Sequence, residues 1–415
     1  MADELHIGEV DDGELRIILA SVLPRGAQFR HDEVEYRTMA DEWALSLQYQ
    51  RGQVVDAVAG PAMIPELSLK IIAAIKQALL APRVSSVWRW TLFSSKPVEG
   101  HWRYRDEFQI GSAPPNAPRP NELMAQYPFI LDFRFNDSPD FEIRQLRWLR
   151  RASNYTLILN LLLGPRIDSP SARVRKHWVW TETGGSPPVR WAQEGYIIPG
   201  LRHLVEDLPS PEFAPLNEVP AEQYYNYRVH YSDHLTVPAE LTRLIDGING
   251  MNHDDQERLL RACFWYSTAS KVWDHSQSLH LTSLVNAVEC LASIGPERSK
   301  PEGPSKLFVS FMKKFAPGNP SGRQLNKIYG TRGKITHGER LLHLDQSSPT
   351  GGLDQISARD REVGDNASFL CRGALINWVW SHTYKTDEHL IREGLPRTPP
   401  TCPGTKSGVT IVIPS

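Results

Sequence analysis

Hydrophobic and polar positions follow two different periods along the chain. In the first half, short runs rich in Val, Ile, Phe, Tyr and Trp are bounded by Gly, Pro, Asn or Asp, which is typical of β-strands. The predicted strands are Leu15–Val22, Val87–Phe93, Phe129–Phe135, Tyr155–Leu163 and Val174–Trp180. Apolar residues at helical spacing predict helices over Pro65–Leu80 and Ile143–Ala152. The first half is therefore predicted to be mixed α/β.

From about Val237 to Tyr384 the helical period dominates and the β-branched alternation fades. Apolar residues three and four apart, with Asp, Pro or Gly at the ends, mark successive helices. The predicted helices are 241–248, 254–272, 282–294, 307–315, 325–337 and 361–382. The second half is therefore predicted to be an all-α bundle, which makes the whole chain α+β.

Proline-rich stretches suggest where the chain divides. The stretch from Pro209 to Pro220 is the predicted boundary, because proline removes hydrogen-bond donors and fixes φ. We expect a mixed α/β region over residues 1–220, which divides into two subdomains near 112–120 if the second proline-rich stretch also separates domains. A linker over 221–236, a helical bundle over 237–390 and a loose tail over 391–415 follow.

Composition limits the possible functions. The chain has 415 residues and a net charge of -2, so any RNA-binding site must be a local patch. Its four cysteines form no CxxC pair, and no HExxH, GxxxxGK or GxGxxG pattern occurs. We therefore expect no metal and no cofactor. The N-terminus is polar and the most apolar run is too short to span a bilayer, so a cytoplasmic protein without membrane contact is expected.

The segment from Lys327 to Gly338 is the most informative for chemistry. It places Arg332 and His337 in an Arg-x4-His pattern on one predicted helix. Five helical residues turn the chain by about 140° net, and we expect both side chains to lean toward one broad side. Tyr329 lies one turn before Arg332, and Lys334 lies one turn before His337.

These residue types suit RNA cleavage. A histidine can remove the proton of the RNA 2′-hydroxyl or protonate the leaving 5′-oxygen, and an arginine can bind the phosphate oxygens. One helix supplies one acid/base, so a symmetric dimer would supply the second. The spacing alone also fits a buried hydrogen-bonded pair, or two surface residues in a structural bundle with a chance motif.

The pattern Tyr329, Arg332, Ile335, His337 and Gly338 resembles the signature helix of HEPN domains, especially the Apea-like group. The upstream run Leu281–Leu291 resembles the helix of that group with an Ala-x-Glu-x-Leu pattern. The resemblance covers roughly residues 237–385. It implies a bundle that dimerises through its motif helices and cuts RNA without a metal, leaving 2′,3′-cyclic phosphate ends.

Carried over by position, the resemblance makes Arg332 the phosphate-binding residue and His337 the acid/base. Glu289 would pair with Arg332, while Tyr329 and Lys334 would support the pair. Many family members are antiphage-defence or toxin effectors, so the N-terminal region is expected to sense a phage or host trigger or to position RNA. The sequence departs from one common form of the pattern at Gly333, where a polar residue is frequent. The alternative is a catalytically silent HEPN scaffold that dimerises and binds RNA, a nucleotide or a partner protein.

Basic and aromatic residues are interleaved in several stretches of the first half. Arg144, Arg147 and Arg151 fall on one face of a predicted helix and are the leading candidates for RNA contact outside the bundle. The competing interpretation is that the aromatic rings pack in the core while the basic side chains reach outward.

Overall fold

The structure is a computed structural model. It describes residues 12–23, 27–30, 33–38, 40, 42–50, 53–80, 85–117, 127–164, 166–169, 176–178, 190–192, 198–225, 232–273, 275–292, 303–346 and 355–392. Parts of the predicted linker 221–236, of the stretch 112–120 and of the tail 391–415 lie outside the described residues.

The chain folds into two compact units, each assembled from three segments. The first comprises Met1–Arg89, Asp132–Ser153 and Arg202–Pro209, and the second comprises Trp90–Leu131, Asn154–Leu201 and Ser210–Ser415. The last division, between Pro209 and Ser210, lies at the start of the predicted boundary Pro209–Pro220, whereas residues before it contribute segments to both units. That boundary concerns independent folding and stays a prediction.

The first unit begins with an antiparallel sheet and two helices. Its first elements are α1 (Asp12–Val22), β1 (Ala27–Arg30), β2 (Glu33–Arg37), β3 (Trp43–Gln50), β4 (Gln53–Ala59) and α2 (Pro65–Leu80). The strands pair in the order β1-β2-β3-β4. Leu45 and Leu47 of β3 share a core with Leu19 of α1 and with Ile71 and Ile75 of α2. The predicted helix Pro65–Leu80 is confirmed.

The predicted strand over Leu15–Val22 is wrong, because these residues belong to α1. Leu15, Ile18, Leu19 and Leu23 are buried, and they recur three and four positions apart. That spacing places them on one face of a helix, whereas a strand would turn alternate ones outward. Packing of this face into the core outweighs the strand preference of its aliphatic residues.

The described residues contain ten further strands. They are β5 (Ser85–Ser94), β6 (His101–Tyr104), β7 (Phe108–Ser112), β8 (Tyr127–Asn136), β9 (Ile167–Asp168), β10 (Lys176–Trp178), β11 (Arg190–Ala192), β12 (Leu204–Val205), β13 (Glu218–Val219) and β14 (Val237–Pro238). One sheet runs in the order β12-β5-β8-β7-β6, with β9 also paired to β5, while β10 pairs with β11 and β13 with β14. The predicted strands at Val87–Phe93 and Phe129–Phe135 are confirmed as β5 and β8.

The predicted strand over Tyr155–Leu163 is also wrong, because one helix, α3 (Phe141–Leu163), continues through it. The short helix predicted over Ile143–Ala152 is the first half of α3. Asp140 begins the helix, since its Oδ1 accepts hydrogen bonds from the backbone N–H groups of Glu142 and Ile143 at 2.9 and 3.0 Å. Residues 159 and 161–163 are all buried, so the end of α3 has no polar face to reveal its helical period.

A short helix, α4 (Ala221–Tyr224), lies between β13 and β14. In the described part of the chain after β14 there are six longer helices. They are α5 (Leu241–Asn249), α6 (His253–Val272), α7 (Gln277–Ala292), α8 (Pro304–Phe315), α9 (Gly322–Thr336) and α10 (Gln355–Arg392), with a 3₁₀ turn at His343–Asp345. The strands of the first half and these helices confirm the α+β class.

Capping residues set several of these helix ends. The side chain of Asn252 caps α6 by accepting a hydrogen bond from the N–H of Asp255. Pro304 opens α8, where its missing N–H has no cost. α10 continues to Arg392 and so takes up the first residues of the predicted tail. Within the described residues, no helix is both long and apolar enough to cross a membrane.

Candidate functional site

α9 carries the Arg-x4-His motif. Its first turn is capped by Ser321, whose Oγ accepts a hydrogen bond from the N–H of Gln324 at 3.2 Å. Its last turn stops at Gly338, which has a φ of 73° in the left-handed region that glycine adopts without strain. His337 is the C-cap, and its N–H donates to the carbonyl of Gly333 at 2.9 Å. The backbone therefore fixes His337 at the end of the helix.

Arg332 is held against α7 by two side chains. Its Nη2 donates to Oε2 of Glu289 at 2.8 Å and to Oδ1 of Asn286 at 3.0 Å. Its Nε is buried without a hydrogen-bond partner among the described residues, and its Nη1 makes no hydrogen bond to them either. One nitrogen thus anchors the guanidinium, and the other donors are not used by the protein described here.

Tyr329 completes this cluster on the inner face of α9. Its hydroxyl donates to Oε1 of Glu289 at 2.8 Å, and the Cζ atom of Arg332 lies 5.7 Å from its ring centroid. Burial and the hydrogen bond to the Glu289 carboxylate raise the pKa of Tyr329 to about 12. Tyr329 is therefore a neutral donor at physiological pH, and its contribution to stability is lost only when the pH rises from about 10 through 12.

His337 lies on a different side of α9 from Arg332. Arg332 shares the inner face with the buried Leu325 and Ile328, whereas His337 is exposed. The five-residue separation corresponds to about 140° around the helix axis. Within the described chain the imidazole has no side-chain partner. The expectation that both side chains of one copy lean toward the same side is therefore not met.

Gly333 follows Arg332 in a helical position with open space around it. A Cβ built on Gly333 meets no heavy atom within 4 Å, and the same holds for Gly330. Lys334, the next residue, is exposed. Glycine at this position therefore serves no close packing against the part of the chain that the structure describes, and it costs helix stability.

Replacing Gly333 by alanine is expected to stabilise α9 by about 0.5–1 kcal/mol, because alanine loses less backbone entropy and meets no obstacle. Amide hydrogen exchange of α9 would measure the gain. Gly247→Ala in α5 is the matched control and is expected to destabilise, since its Cβ would lie 2.6 Å from Cγ2 of Thr383. Equal or lower protection of α9 in Gly333→Ala would contradict the expectation.

The segment after His337 is tied to the start of α7. The Asp345 carboxylate accepts hydrogen bonds from Oγ of Ser276 and from the N–H groups of Gln277 and Ser278, at 2.7–2.9 Å. A carboxylate at a helix N-terminus satisfies otherwise unpaired N–H groups and complements the helix dipole. One helix, α7, therefore anchors Arg332 through Glu289 and anchors the chain beyond His337 through Asp345.

The arginines predicted to contact RNA in the first half have partners inside the protein. Arg147 donates to both carboxylate oxygens of Glu14 at 2.8 and 2.7 Å, and Arg144 donates to Asp137 at 2.6 Å. Arg151 is exposed and also has an interaction partner. The guanidinium groups of Arg144 and Arg147 serve an ion-pair network, which favours the structural interpretation over RNA contact.

Sequence patterns identified most of the α9 cluster but missed two contributors. Asn286 bonds Arg332, and its signal was its position one helical turn before Glu289. Asp345 lies 67–69 residues from the groups that it binds, so no local pattern marks it. Among the described residues, no three His, Cys, Asp or Glu side chains are grouped to hold a metal ion.

Any functional assignment rests on the residues and their geometry, because no protein-family model, no curated protein and no solved structure matches the chain.

Proposed function

We propose that the chain is an endoribonuclease of HEPN type that cuts RNA without a metal and acts as a dimer. The observation that carries the proposal is the anchoring of Arg332 by Glu289 and Asn286. At the end of the same helix lies the exposed His337, whose imidazole has no side-chain partner among the described residues. A preorganised guanidinium can stabilise charge on a phosphate in the transition state, and an exposed imidazole can exchange protons with RNA.

The proposed reaction uses the RNA's own nucleophile. One imidazole takes the proton of the 2′-hydroxyl, and the 2′-oxygen forms a bond to phosphorus. The bond from phosphorus to the 5′-oxygen breaks, and that oxygen takes the proton from the same imidazole, which is now an imidazolium. The products are a 2′,3′-cyclic phosphate and a 5′-hydroxyl, and the reaction requires no oxidant, reductant or further reactant.

The separation of Arg332 and His337 on α9 favours a composite site in the proposed dimer. A two-fold axis between the motif helices would place the His337 of one copy opposite the Arg332 of the other, which gives two sites per dimer with one Arg332 and one His337 each. The proposed homodimer therefore has a chemical role, because one copy presents these two groups on different sides of its helix.

The resemblance to Apea-like HEPN proteins supports a role as a bacterial antiphage-defence or toxin effector in the cytoplasm. The first half of the chain would then sense a phage or host trigger or position the RNA. In this proposal Arg144 and Arg147 contribute ion pairs to that region, because their guanidinium groups bond Asp137 and Glu14.

A second candidate is a catalytically silent HEPN scaffold that dimerises and binds RNA, a nucleotide or a partner protein. One observation favours it. Among the described residues, Arg332 forms hydrogen bonds through Nη2 alone, which donates to the Glu289 carboxylate and the Asn286 amide oxygen. A structural ion pair has the same arrangement.

Incubation of the purified protein with total RNA in EDTA separates the two candidates. The nuclease is expected to produce fragments with 2′,3′-cyclic phosphate ends, and His337→Ala is expected to produce none. Asn326→Ala, which removes an exposed, uncharged side chain from the same helix, is the control for surface changes on α9. Binding without cleavage would support the scaffold, and equal cleavage by His337→Ala would exclude His337 as the acid/base.

A further inference from the structure

Positive charge is concentrated on the α8–α9 region although the whole chain has a net charge of -2. Residues 304–340 contain eight Lys or Arg residues and one acidic residue, Glu339. The eight are Lys306, Lys313, Lys314, Arg323, Lys327, Arg332, Lys334 and Arg340. Soluble proteins ordinarily intersperse both signs on their surface, so this segregation indicates a polyanionic partner.

Six of these eight side chains have no carboxylate partner among the described residues. Arg332 pairs with Glu289, and Arg340 pairs with Asp360 at 2.9 Å. The others are exposed lysines or arginines on α8 and α9. The charges of these six side chains are therefore available to a ligand or are solvated by water.

Three of the unpaired cations form a line on the outer face of α9. Arg323, Lys327 and Lys334, which we call the cationic stripe, lie within about 40° of one another around the helix axis. They are separated by about 6 and about 10.5 Å along the axis, and His337 follows Lys334 by about 4.5 Å on the same side. The stripe therefore leads to the exposed imidazole.

Two neighbouring features fit a close approach of a phosphate backbone to the stripe. Gly330 lies between Lys327 and Lys334, is exposed, and has nothing within 4 Å of the position of a Cβ. At the start of α9, the Nζ of Lys313 lies 3.9 Å from a Cβ built on Gly322, so a further ammonium group lies near the end of the helix that carries Arg323. The outer face of α9 therefore has open space at Gly330 and cationic side chains before and after it.

We propose that the cationic stripe binds the phosphate backbone of single-stranded RNA and directs it to His337. The inference rests on the proposed function for the role of His337, and it moves the RNA contact from Arg144, Arg147 and Arg151 to α9. Single-stranded RNA fits because a line of flexible ammonium and guanidinium groups contacts phosphates without reading base sequence.

Gly330→Glu tests the stripe with the smallest change, and Gly330→Gln is its matched control. Both side chains enter open space and improve helix propensity, but only glutamate adds a negative charge among the cations. With a 2′-O-methyl RNA of about 20 nucleotides, the probe cannot be cleaved by its own 2′-oxygen. Fluorescence anisotropy in EDTA is expected to show at least tenfold weaker binding for Gly330→Glu at 50 mM KCl. Equal affinity of the two variants would overturn the proposal.

The salt dependence provides a second, independent readout. Replacing Arg323, Lys327 and Lys334 by glutamine is expected to reduce the slope of log K against log salt by about 2, at roughly 0.7 per lost phosphate contact. Lys70, Lys76 and Arg202, which are exposed in the first unit, give a control triple with the same loss of charge. An equal effect of both triples would mean that net charge alone matters and would overturn the stripe.

These measurements separate the failure of the stripe from the failure of the nuclease. Stripe-dependent binding of the probe by a protein that cleaves no RNA would retain the stripe and reject the nuclease. Cleavage by the wild type together with unchanged probe binding and unchanged KM in the stripe triple would retain the nuclease and reject the stripe.

Discussion

A one-to-one mixture of Arg332→Ala and His337→Ala chains is expected to cleave RNA at about one quarter of the wild-type rate, although neither variant cleaves it alone. Random pairing makes half of the dimers mixed. In a mixed dimer with composite sites, one site lacks both groups and the other has Arg332 from one copy and His337 from the other. Half of the sites in half of the dimers are then intact.

The expected contrast is large because each single replacement removes a major catalytic contribution. General acid/base catalysis is worth about 10²–10⁴ in rate, and a preorganised donor on a developing charge is worth about 10²–10³. Recovery follows from the geometry of α9, where the two side chains of one copy lie about 140° apart. A site built within one copy would leave the mixture as inactive as its components.

Co-expression of the two variants with different affinity tags, followed by two-step purification, gives mixed dimers alone and doubles the expected rate to about one half. Co-purified pairs of the same variant are the control. Mixed dimers that are confirmed by mass photometry and remain inactive would contradict the composite site. Recovery in a strictly monomeric mixture would contradict the dimer.

The fold was predictable where the hydrophobic period was clear. The predicted helix from Pro65 to Leu80 is confirmed as α2, and strands β5 and β8 contain the two apolar runs predicted for them. In α7, the predicted apolar positions Leu284, Val285 and Val288 are all at most 1% exposed. α2 has its apolar residues at helical spacing, whereas β5 and β8 are short apolar runs with consecutive buried residues, and both patterns can be recognised in the sequence.

Two errors share a physical cause. Leu15–Val22 and Tyr155–Leu163 are short apolar runs, and such runs satisfy a buried strand and a buried helix equally well. Tertiary packing decided between them. In α1, burial every three or four residues against the sheet core selects the helix, and in α3 the helix started by Asp140 simply continues. Neither influence is visible inside the runs.

The candidate site was predictable along one helix and unpredictable across the fold. The positions of Arg332, Tyr329 and Glu289 followed from helical spacing and the HEPN resemblance, and the structure places all three in one hydrogen-bonded cluster. The orientation of His337 did not follow, because an angle of about 140° is compatible with one broad side or with two. Asp345 ties the segment after His337 to the start of α7 through long-range hydrogen bonds, which no short sequence window contains.

The basic patches illustrate the same limit. The arginines of α3 have basic neighbours in sequence, yet Glu14, 133 residues away, neutralises Arg147. The stripe on α9 is less dense in sequence but has no carboxylate partner among the described residues. Whether a cation is available therefore depends on which acids the fold brings to it, and the local density of arginine does not reveal this.

Replacing Phe308 by alanine is expected to cost α8 and α9 about 3–5 kcal/mol of local stability, the usual cost of emptying a buried phenylalanine site. Phe308 is 0% exposed, and its ring centroid lies 5.1 Å from that of Tyr329. Native-state hydrogen exchange is the suitable measurement, because a chain with two compact units need not unfold in one step. Protection of α9 amides is expected to fall at least a hundredfold, and RNA cleavage is expected to fall with it, since Tyr329 supports the carboxylate that anchors Arg332.

Phe264→Ala, at a side chain that is 54% exposed in α6, is the matched control and is expected to change stability by at most about 0.5 kcal/mol. If both variants lost equal protection in α9, the cluster built on Phe308, Tyr329 and Glu289 would not be what holds the motif helix in place.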